Sequence, residues 1–230
     1  MISVIVPTMN SEADLAHTLS ALVTAAAEGV VREVIVVDGG SNDATEEVAD
    51  AAGCHWLRVS GPRSQRLAAG ADAASRGEWL LFLSPDTVLQ AGWHQEAQTF
   101  IERVQRAGTA DRTAAAFKLR FESFGLGARM SEVIAVIRSR ILGMPYGNQG
   151  LLMSRRFYRE LGGYRPLPQL EDLDLVKRIG RSRLVFLHSA AVSPGRTEAP
   201  GRVASLRQSF ARFCVGMLRL PPRLVLRLHG

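Results

Sequence analysis

The 230-residue sequence predicts an α/β fold with a mainly parallel central sheet flanked by helices. Apolar runs typical of buried strands alternate with segments whose apolar residues recur at helical spacing, and this alternation indicates βαβ units. The length suits one large domain, and a hydrophobic share of 47% is enough to bury a core. We therefore expect residues 1–190 to form a single α/β domain.

Strands and helices follow one another regularly through the first 90 residues. A strand over 2–6 ends at Pro7, and Asn10-Ser11 offers a cap for a helix whose apolar positions are Leu15, Leu19, Leu22 and Val23. Further strands are predicted over 33–37, 55–59 and 78–83, with helices to about residue 52 and over 64–75. The fourth strand is very apolar, so we expect it to be central in the sheet.

The alternation is less regular after residue 90. Helices are predicted over 93–106, 131–142, 156–161 and 171–179, and strands over 113–121, 150–154 and 184–187. Residues 193–201 are expected to form a flexible connection.

The segment from Arg202 onward is basic and apolar, with six arginines and no acid. It predicts one or two amphipathic helices broken at Pro221-Pro222. Such a face can lie on an anionic membrane surface, or it can pack on the sheet with its arginines in solvent. Both interpretations stay open, so we expect residues 191–230 to form a loop and helical tail packed on the domain or on a membrane.

Composition excludes several classes of protein. Cys54 and Cys214 form no CxxC pair, so neither a disulfide framework nor a structural zinc site is indicated. The amino terminus begins a strand instead of a signal peptide, and no apolar run reaches the roughly 18 residues that a membrane span needs. The net charge is +6, but the aliphatic residues of the tail fit a bilayer or a packed helix better than nucleic acid. We expect a cytoplasmic protein, with contact to the inner face of the membrane as an option, and no nucleic-acid partner.

Polar residues follow the ends of predicted strands. Asp38 closes the second strand, Asp86 follows the fourth, and Thr8 follows the first. Ligands of open parallel sheets bind beyond these strand ends. Each residue also has an ordinary explanation in turn chemistry. Together with Arg63 and Arg66, however, they provide acids for a cation or a ribose and arginines for phosphate.

Five segments occur in an order typical of a known family: VIVPTMNSE, VIVVDGGSNDAT, SQRLAAGADAASRGEWLLFLSPDTVL, YGNQGLLMSR and LEDLDLVKRIG. No one of them is specific, but the set resembles family 2 glycosyltransferases with the GT-A fold, a nucleotide-binding α/β domain. The resemblance covers about residues 1–190.

The resemblance implies a nucleotide pocket in the first half of the chain. Asp38 would contact the base, with Pro7, Thr8 and Glu12 lining the same pocket. The family's DxD element reads Ser84-Pro85-Asp86 here. Its last position implies that Asp86 holds Mg²⁺ or Mn²⁺ on the diphosphate, whereas the first is replaced by Ser84, an uncharged residue that can hydrogen-bond a ribose.

The resemblance also implies a catalytic acid pair. Asp172 would be the base that takes the proton of the acceptor hydroxyl, with Glu171 positioning it or the acceptor. The helix dipole alone also favours acids in a first helical turn. Asn148 and Gln149 are expected on the sugar or acceptor side, although they suit a turn equally well. Arg196 is expected to reach the diphosphate.

These expectations predict an inverting transferase that moves a sugar from a UDP- or GDP-linked donor to a hydroxyl acceptor, with a divalent metal. A binding protein that has lost turnover is one alternative. A nucleotidyltransferase is another, but PTMNSEADL after the first strand lacks the usual glycine-rich basic loop. A dinucleotide site is not expected, because no GxGxxG follows that strand.

Overall fold

The centre of the computed structural model, which describes residues 1–121 and 149–193, is a mixed β-sheet. Its strands are β1 (Ile2–Thr8), β2 (Val31–Asp38), β3 (His55–Arg58), β4 (Trp79–Phe82), β5 (Val88–Leu89), β6 (Ala114–Phe121), β7 (Leu151–Ser154) and β8 (Leu184–Ser193). Within the described residues the sheet has eight strands in the order β3-β2-β1-β4-β7-β6-β8-β5.

Helices cover both faces of this sheet. They are α1 (Glu12–Ser20), α2 (Val23–Ala27), α3 (Thr45–Ala51), α4 (Arg63–Ala73), α5 (Trp93–Arg106), α6 (Arg155–Glu160) and α7 (Glu171–Ile179). Short 3₁₀ turns at Ala110–Arg112 and Arg181–Arg183 precede β6 and β8.

Strand direction brings many loops to one edge of the sheet. β1 pairs in parallel with β2 and β4, β2 with β3, and β6 with β8, whereas β7 is antiparallel to both β4 and β6. The strands β1, β2, β3, β4, β6 and β8 therefore all end at the same edge, and β7 begins there. We call this the carboxyl edge. Thr8 and Asp38 are direct neighbours on it, because they are paired in register.

Alternating side chains of the central strands divide the core in two. Val4 and Val6 of β1 pack in the cluster that contains residues of α1, α2, α3 and α5, whereas Ile5 packs in the cluster beneath α4, α6 and α7. Every residue of β1 is buried. Burial of each large aliphatic or aromatic side chain contributes about 1.5–3 kcal/mol, so these two clusters stabilise the sheet.

The predicted sheet is confirmed, with β4 central between β1 and β7. The predicted first helix is different, because it breaks after Ser20 and restarts at Val23 as α2. Trp93 Nε1 donates to the carbonyl oxygen of Ala21 at 3.1 Å at this break. Val23, predicted on the apolar face, is instead 63% exposed.

β8 is longer than the predicted strand over 184–187. It continues to Ser193 because its second half pairs with β6 and with the two-residue strand β5, which the sequence did not predict. The strand thus crosses the expected boundary at residue 190. The predicted helix over 131–142 and nearly all of residues 191–230 lie outside the described residues. No helix among the described residues is long and apolar enough to cross a membrane.

Glu96 fixes α5 to the middle of β8. Its Oε1 accepts from the backbone N–H of His188 at 2.6 Å, and its Oε2 accepts from the backbone N–H and the hydroxyl of Ser189 at 2.8 and 2.6 Å. Burial would raise the pKa of Glu96, but these hydrogen bonds outweigh burial and lower it to about 2. The carboxylate is therefore a structural contact between the helix and the sheet.

We expect Glu96→Gln to lower the free energy of unfolding at pH 7 by roughly 1–3 kcal/mol, because a neutral amide is a weaker acceptor and directs N–H groups at donors. The folded pKa lies below the ordinary value of 4.5, so the contribution of the carboxylate is complete above that value and is lost as pH falls toward 2. Urea unfolding should show a smaller difference between wild type and variant at pH 2.5 than at pH 7. Glu102→Gln, at an exposed position of α5, is the control.

Candidate active site

The carboxyl edge collects the polar residues that follow the strands. Thr8 and Asp38 end β1 and β2, and Asp86 lies in the loop after β4. Ser193 ends β8, and Gln149, which is buried, precedes β7. Residues distant in sequence are therefore neighbours at one edge of the sheet.

Asp38 is fully buried and shapes the loop after β2. Its Oδ2 accepts from the backbone N–H groups of Gly40 and Ser41, both at 2.7 Å, and its Oδ1 accepts from the hydroxyls of Thr8 and Ser41. Burial would raise the pKa of Asp38, but these hydrogen bonds lower it below its ordinary value. The loop is thus built around an ionised carboxylate.

The loop after β1 is joined to the loop after β2. The backbone N–H of Asn10 donates to Ser41 Oγ at 2.7 Å, and the Asn10 side chain accepts from the N–H of Asn42 at 2.9 Å. The carboxylate of Glu12 accepts from the N–H of Ala44 at 3.3 Å. These contacts make the two loops one wall of the site.

Arg66 of α4 extends across Gly39 in this wall. A Cβ built on Gly39 would lie 2.4 Å from Arg66 Nη1, so the guanidinium occupies the place of a side chain at that position. Nη1 donates to the carbonyl oxygen of Gly61 at 3.0 Å, whereas Nε is buried with no hydrogen-bond partner among the described residues. Burial and the charge of Arg63 lower the pKa of Arg66. One donor of this arginine is therefore left for a ligand.

The turn over residues 84–87 is held by α1. The hydroxyl of Thr18 donates to the carbonyl oxygens of Pro85 and Thr87 at 2.7 and 3.1 Å, and the N–H of Thr87 donates to the carbonyl oxygen of Ser84 at 3.1 Å. The position of the half-buried Asp86 is therefore fixed by a helix that belongs to a different βαβ unit.

The two carboxylate oxygens of Asp86 differ. Oδ2 accepts from the hydroxyl of Ser193 at 3.2 Å, but Oδ1 is buried and has no hydrogen-bond partner within residues 1–121 and 149–193. A buried acceptor without a partner is costly, so this oxygen is suited to accept a ligand. The described residues contain no group of three or more His, Cys, Asp or Glu suited to a metal ion. A cation at Asp86 would need further oxygen ligands from a bound molecule and from water.

A second group of charges joins α4 to the start of α7. Nη1 of Arg63 donates to Glu171 Oε1 at 2.7 Å and to Asp172 Oδ2 at 2.6 Å, and the hydroxyl of Tyr164 donates to Asp172 Oδ1 at 3.0 Å. We call Arg63, Tyr164, Glu171 and Asp172 the acid clamp. Burial lowers the pKa of Arg63, but the two carboxylates outweigh it and raise the pKa. Burial, and next the charge of Asp172, raise the pKa of Tyr164 well above its usual value.

The loop before α7 is fixed to α4 beside the clamp. The hydroxyl of Ser64 donates to the carbonyl oxygen of Leu167 at 2.6 Å and accepts from the N–H of the same residue at 3.1 Å. Leu170, directly before Glu171, has a φ of 65°. This left-handed conformation costs a leucine about 1–2 kcal/mol. The acids therefore follow a locally strained residue, as residues at functional sites often do.

The acid clamp lies at the same edge of the sheet as Asp38. Arg63 begins α4, which follows the carboxyl end of β3. Arg66 is one turn further along α4, and its pKa responds to both Asp38 and Glu171. The charged groups thus continue from the loop after β2 to the start of α7.

The structure places most, but not all, of the predicted site residues. Pro7 is buried within β1, and Ser84 is half-buried in the turn before Asp86. Arg63, predicted on the nucleotide side, pairs with Glu171 and Asp172 instead. Asn148 and Arg196 lie outside the described residues. The roles of all these residues stay predictions.

Three further residues were not predicted: Tyr164, Thr18 and Ser193. Each of these residues hydrogen-bonds to an acidic residue or to the loop that carries one. None of them belongs to a local sequence motif. Tyr164 precedes Asp172 by only eight residues. A tyrosine so close in sequence to an expected base is the one signal by which the sequence could have indicated this contact.

The sequence matches the family model described as glycosyl transferase family 2 over residues 3–150. The protein belongs to that family. The match includes the loops of Asp38 and Asp86 and ends just before β7. A search of curated proteins found no match.

Solved structures with a similar fold include proteins from S. aureus and Mycobacterium tuberculosis. Residues 1–349 of TarS from S. aureus match with a TM-score of 0.66 and 18% identity over 97% of this chain and 68% of that chain. Glucosyl-3-phosphoglycerate synthase from Mycobacterium tuberculosis, in complex with Mn²⁺ and UDP-glucose, matches with a TM-score of 0.62 and 21% identity over 93% of this chain and 78% of that chain. These likenesses confirm the GT-A fold.

We expect Asp38→Asn to lower the free energy of unfolding by roughly 1–3 kcal/mol, because an amide cannot accept from all the donors that face the carboxylate. Chemical denaturation at pH 7 measures the change. Asp50→Asn, at an exposed position of α3, is the control and should change stability by less than about 0.5 kcal/mol. Equal stability of both variants would contradict the structural role of Asp38.

Proposed function

We propose that the protein transfers a sugar from a UDP- or GDP-linked donor to a hydroxyl acceptor with inversion at the anomeric carbon. Family membership supports glycosyl transfer. The observation that carries the finer proposal is the gathering of three features at the carboxyl edge. These are an arginine with an unused donor, a carboxylate with an unpartnered oxygen, and the acid clamp.

The wall formed by the loops after β1 and β2 is proposed to receive the nucleotide. Arg66 Nε is a buried donor without a partner among the described residues, and an anionic oxygen of the donor substrate would satisfy it. Asp38 would act chiefly through the loop that it shapes, because each of its oxygens already accepts hydrogen bonds. Pro7, Thr8 and Glu12 would line the same nucleotide pocket.

Asp86 is proposed to hold Mg²⁺ or Mn²⁺. Its Oδ1 fits the hard, oxygen-preferring character of these ions, because it is a buried carboxylate oxygen with no partner in the described part of the chain. A bound ion would neutralise the negative charge that develops on the departing diphosphate. Crystal structures of the mycobacterial synthase in complex with Mn²⁺ support a divalent ion in this fold. Ser84 would offer a ribose an uncharged hydroxyl.

Asp172 is proposed as the general base, with Glu171 beside it. The acceptor oxygen would form a bond to the anomeric carbon while the bond from that carbon to the diphosphate oxygen breaks, and the hydroxyl proton would move to Asp172. Attack opposite the leaving group inverts the configuration. A positioned base contributes about 10²–10⁴-fold in rate.

The acceptor side is proposed to involve Asn148 and Gln149, with Arg196 near the diphosphate. Gln149 is buried, and Gly150 beside it packs against Leu83 at the end of β4. The residues after β8, 194–230, are proposed to form the loop and amphipathic tail described above, in a cytoplasmic protein with optional contact to a membrane surface.

We expect the protein to release UDP or GDP from one member of a panel of nucleotide sugars when Mn²⁺ and a hydroxyl acceptor are present. Asp172→Asn should lower kcat by 10²-fold or more while nucleotide binding persists, because only the proton acceptor is lost. Asp72→Asn, at an exposed position of α4, is the control. Nucleotide binding without release would favour the binding-protein alternative, and pyrophosphate release from a nucleoside triphosphate would favour a nucleotidyltransferase.

We also expect metal binding to depend on Asp86. Titration of Mn²⁺ in the presence of UDP or GDP, followed by the loss of the free-ion electron paramagnetic resonance signal, should show tight binding in the wild type and about 10²-fold weaker binding in Asp86→Asn. Ser193→Ala should weaken it by about 10-fold, because the hydroxyl orients the carboxylate. Unchanged affinity in Asp86→Asn would refute this site.

A further inference from the structure

Within the acid clamp, only some of the hydrogen-bond acceptor positions of the Asp172 carboxylate are used. Each carboxylate oxygen accepts one hydrogen bond, Oδ2 from Arg63 and Oδ1 from Tyr164. An ionised carboxylate has about four acceptor positions, so a further donor can still bind. The side chain of Asp172 is 22% exposed, whereas that of Glu171 is 9% exposed. Asp172 is thus the acid of the pair that is open to an acceptor hydroxyl.

Two carboxylates share one cation in the clamp. Arg63 Nη1 lies within 2.7 Å of both Glu171 and Asp172, and without it two acids would repel each other in a half-buried position. Among the described residues, the hydroxyl of Tyr164 also donates a hydrogen bond to Asp172. Arg66 lies one turn further along α4 and interacts with Glu171. The described contacts of the Asp172 carboxylate are therefore with a guanidinium and a phenol.

Both donors have rigid supports. Arg63 is on the first turn of α4, which Ser64 ties to Leu167. The ring of Tyr164 packs edge-on against Phe82, with centroids 5.1 Å apart, and its backbone N–H donates to the hydroxyl of Tyr158 at 3.0 Å. Rigidly supported donors can fix the orientation of the carboxylate.

We propose that Arg63 and Tyr164 are positioning residues, which hold the carboxylate of Asp172 from two sides and aim its remaining lone pairs at the acceptor hydroxyl. The inference rests on the proposed role of Asp172 as base. It assigns Arg63 to the base and not to the nucleotide. Loss of either donor then impairs proton transfer and leaves nucleotide binding intact.

The pH dependence of kcat/KM tests this assignment. A reaction that needs an ionised base has a kcat/KM that falls at low pH, where the base is protonated, and this fall is the acid limb of the profile. Removal of a cation that contacts the base makes the base easier to protonate, so the acid limb moves to higher pH. We expect Arg63→Met to move it up by about one pH unit and to lower kcat at least 10-fold. Tyr164→Phe should move it in the same direction by less, and Arg63→Lys should restore part of the loss.

Arg165→Met is the matched control, because Arg165 pairs with Asp174 on α7 and does not contact Asp172. Its acid limb should stay in place. The dissociation constant of UDP or GDP should change less than twofold in all four variants. An unmoved limb in Arg63→Met, or nucleotide binding weakened 10-fold in that variant, would overturn the proposal.

A second measurement does not depend on turnover. In full-length protein labelled with ¹³C at aspartate carboxyls, the signal lost in Asp172→Asn should titrate at higher pH in Arg63→Met and in Tyr164→Phe than in wild type. If no nucleotide sugar is turned over, the proposed function fails, but this titration still decides whether the clamp controls the carboxylate. If Arg63→Met does not fold, the same measurements on Tyr164→Phe and Arg63→Lys decide whether the proposal holds.

Discussion

The parallel pairing of β1 with β2 on one side and β4 on the other is the constraint on which the site depends. β1 is buried along its whole length, so its two neighbours are held in fixed register, and their following loops must leave at the same edge. That geometry brings Asp38 and Asp86 to the two sides of Thr8. A sheet in which β4 ran antiparallel to β1 would send the loop of Asp86 to the opposite edge.

Charge balance then decides how the acids are held. Removing carboxylates from water costs several kcal/mol each unless a cation or hydrogen bonds compensate. Asp38 is compensated by backbone N–H groups and hydroxyls, whereas Glu171 and Asp172 are compensated by one guanidinium. Among the described residues, Asp86 is the one acid with a buried carboxylate oxygen that has no hydrogen-bond partner. These three ways of holding a carboxylate match the three proposed roles: Asp38 shapes a loop, Asp172 accepts a proton and Asp86 holds a metal ion.

The sequence predicted the parts of this arrangement that depend on local pattern. Apolar runs identify β1, β2 and β4, and the residues that end them follow directly. Contacts between distant residues leave no such pattern. Ser193 meets Asp86 because β8 extends beyond its apolar stretch through pairing with β5 and β6. Arg63 meets Glu171 across 108 residues, so this ion pair could not be predicted from the local pattern around Arg63.

Arg63 and Arg66 are one helical turn apart, and this spacing connects the two halves of the site. Arg66 extends over the loop of Asp38, while Arg63 pairs with the acids of α7. The charge of Arg63 lowers the pKa of Arg66 after the larger effect of burial, so the two cations repel each other. An anionic donor substrate bound at Arg66 would compensate the charge of that arginine, whereas the charge of Arg63 is already compensated by Glu171 and Asp172. The donor substrate and the base would then each have a separate arginine on the first turns of a single helix.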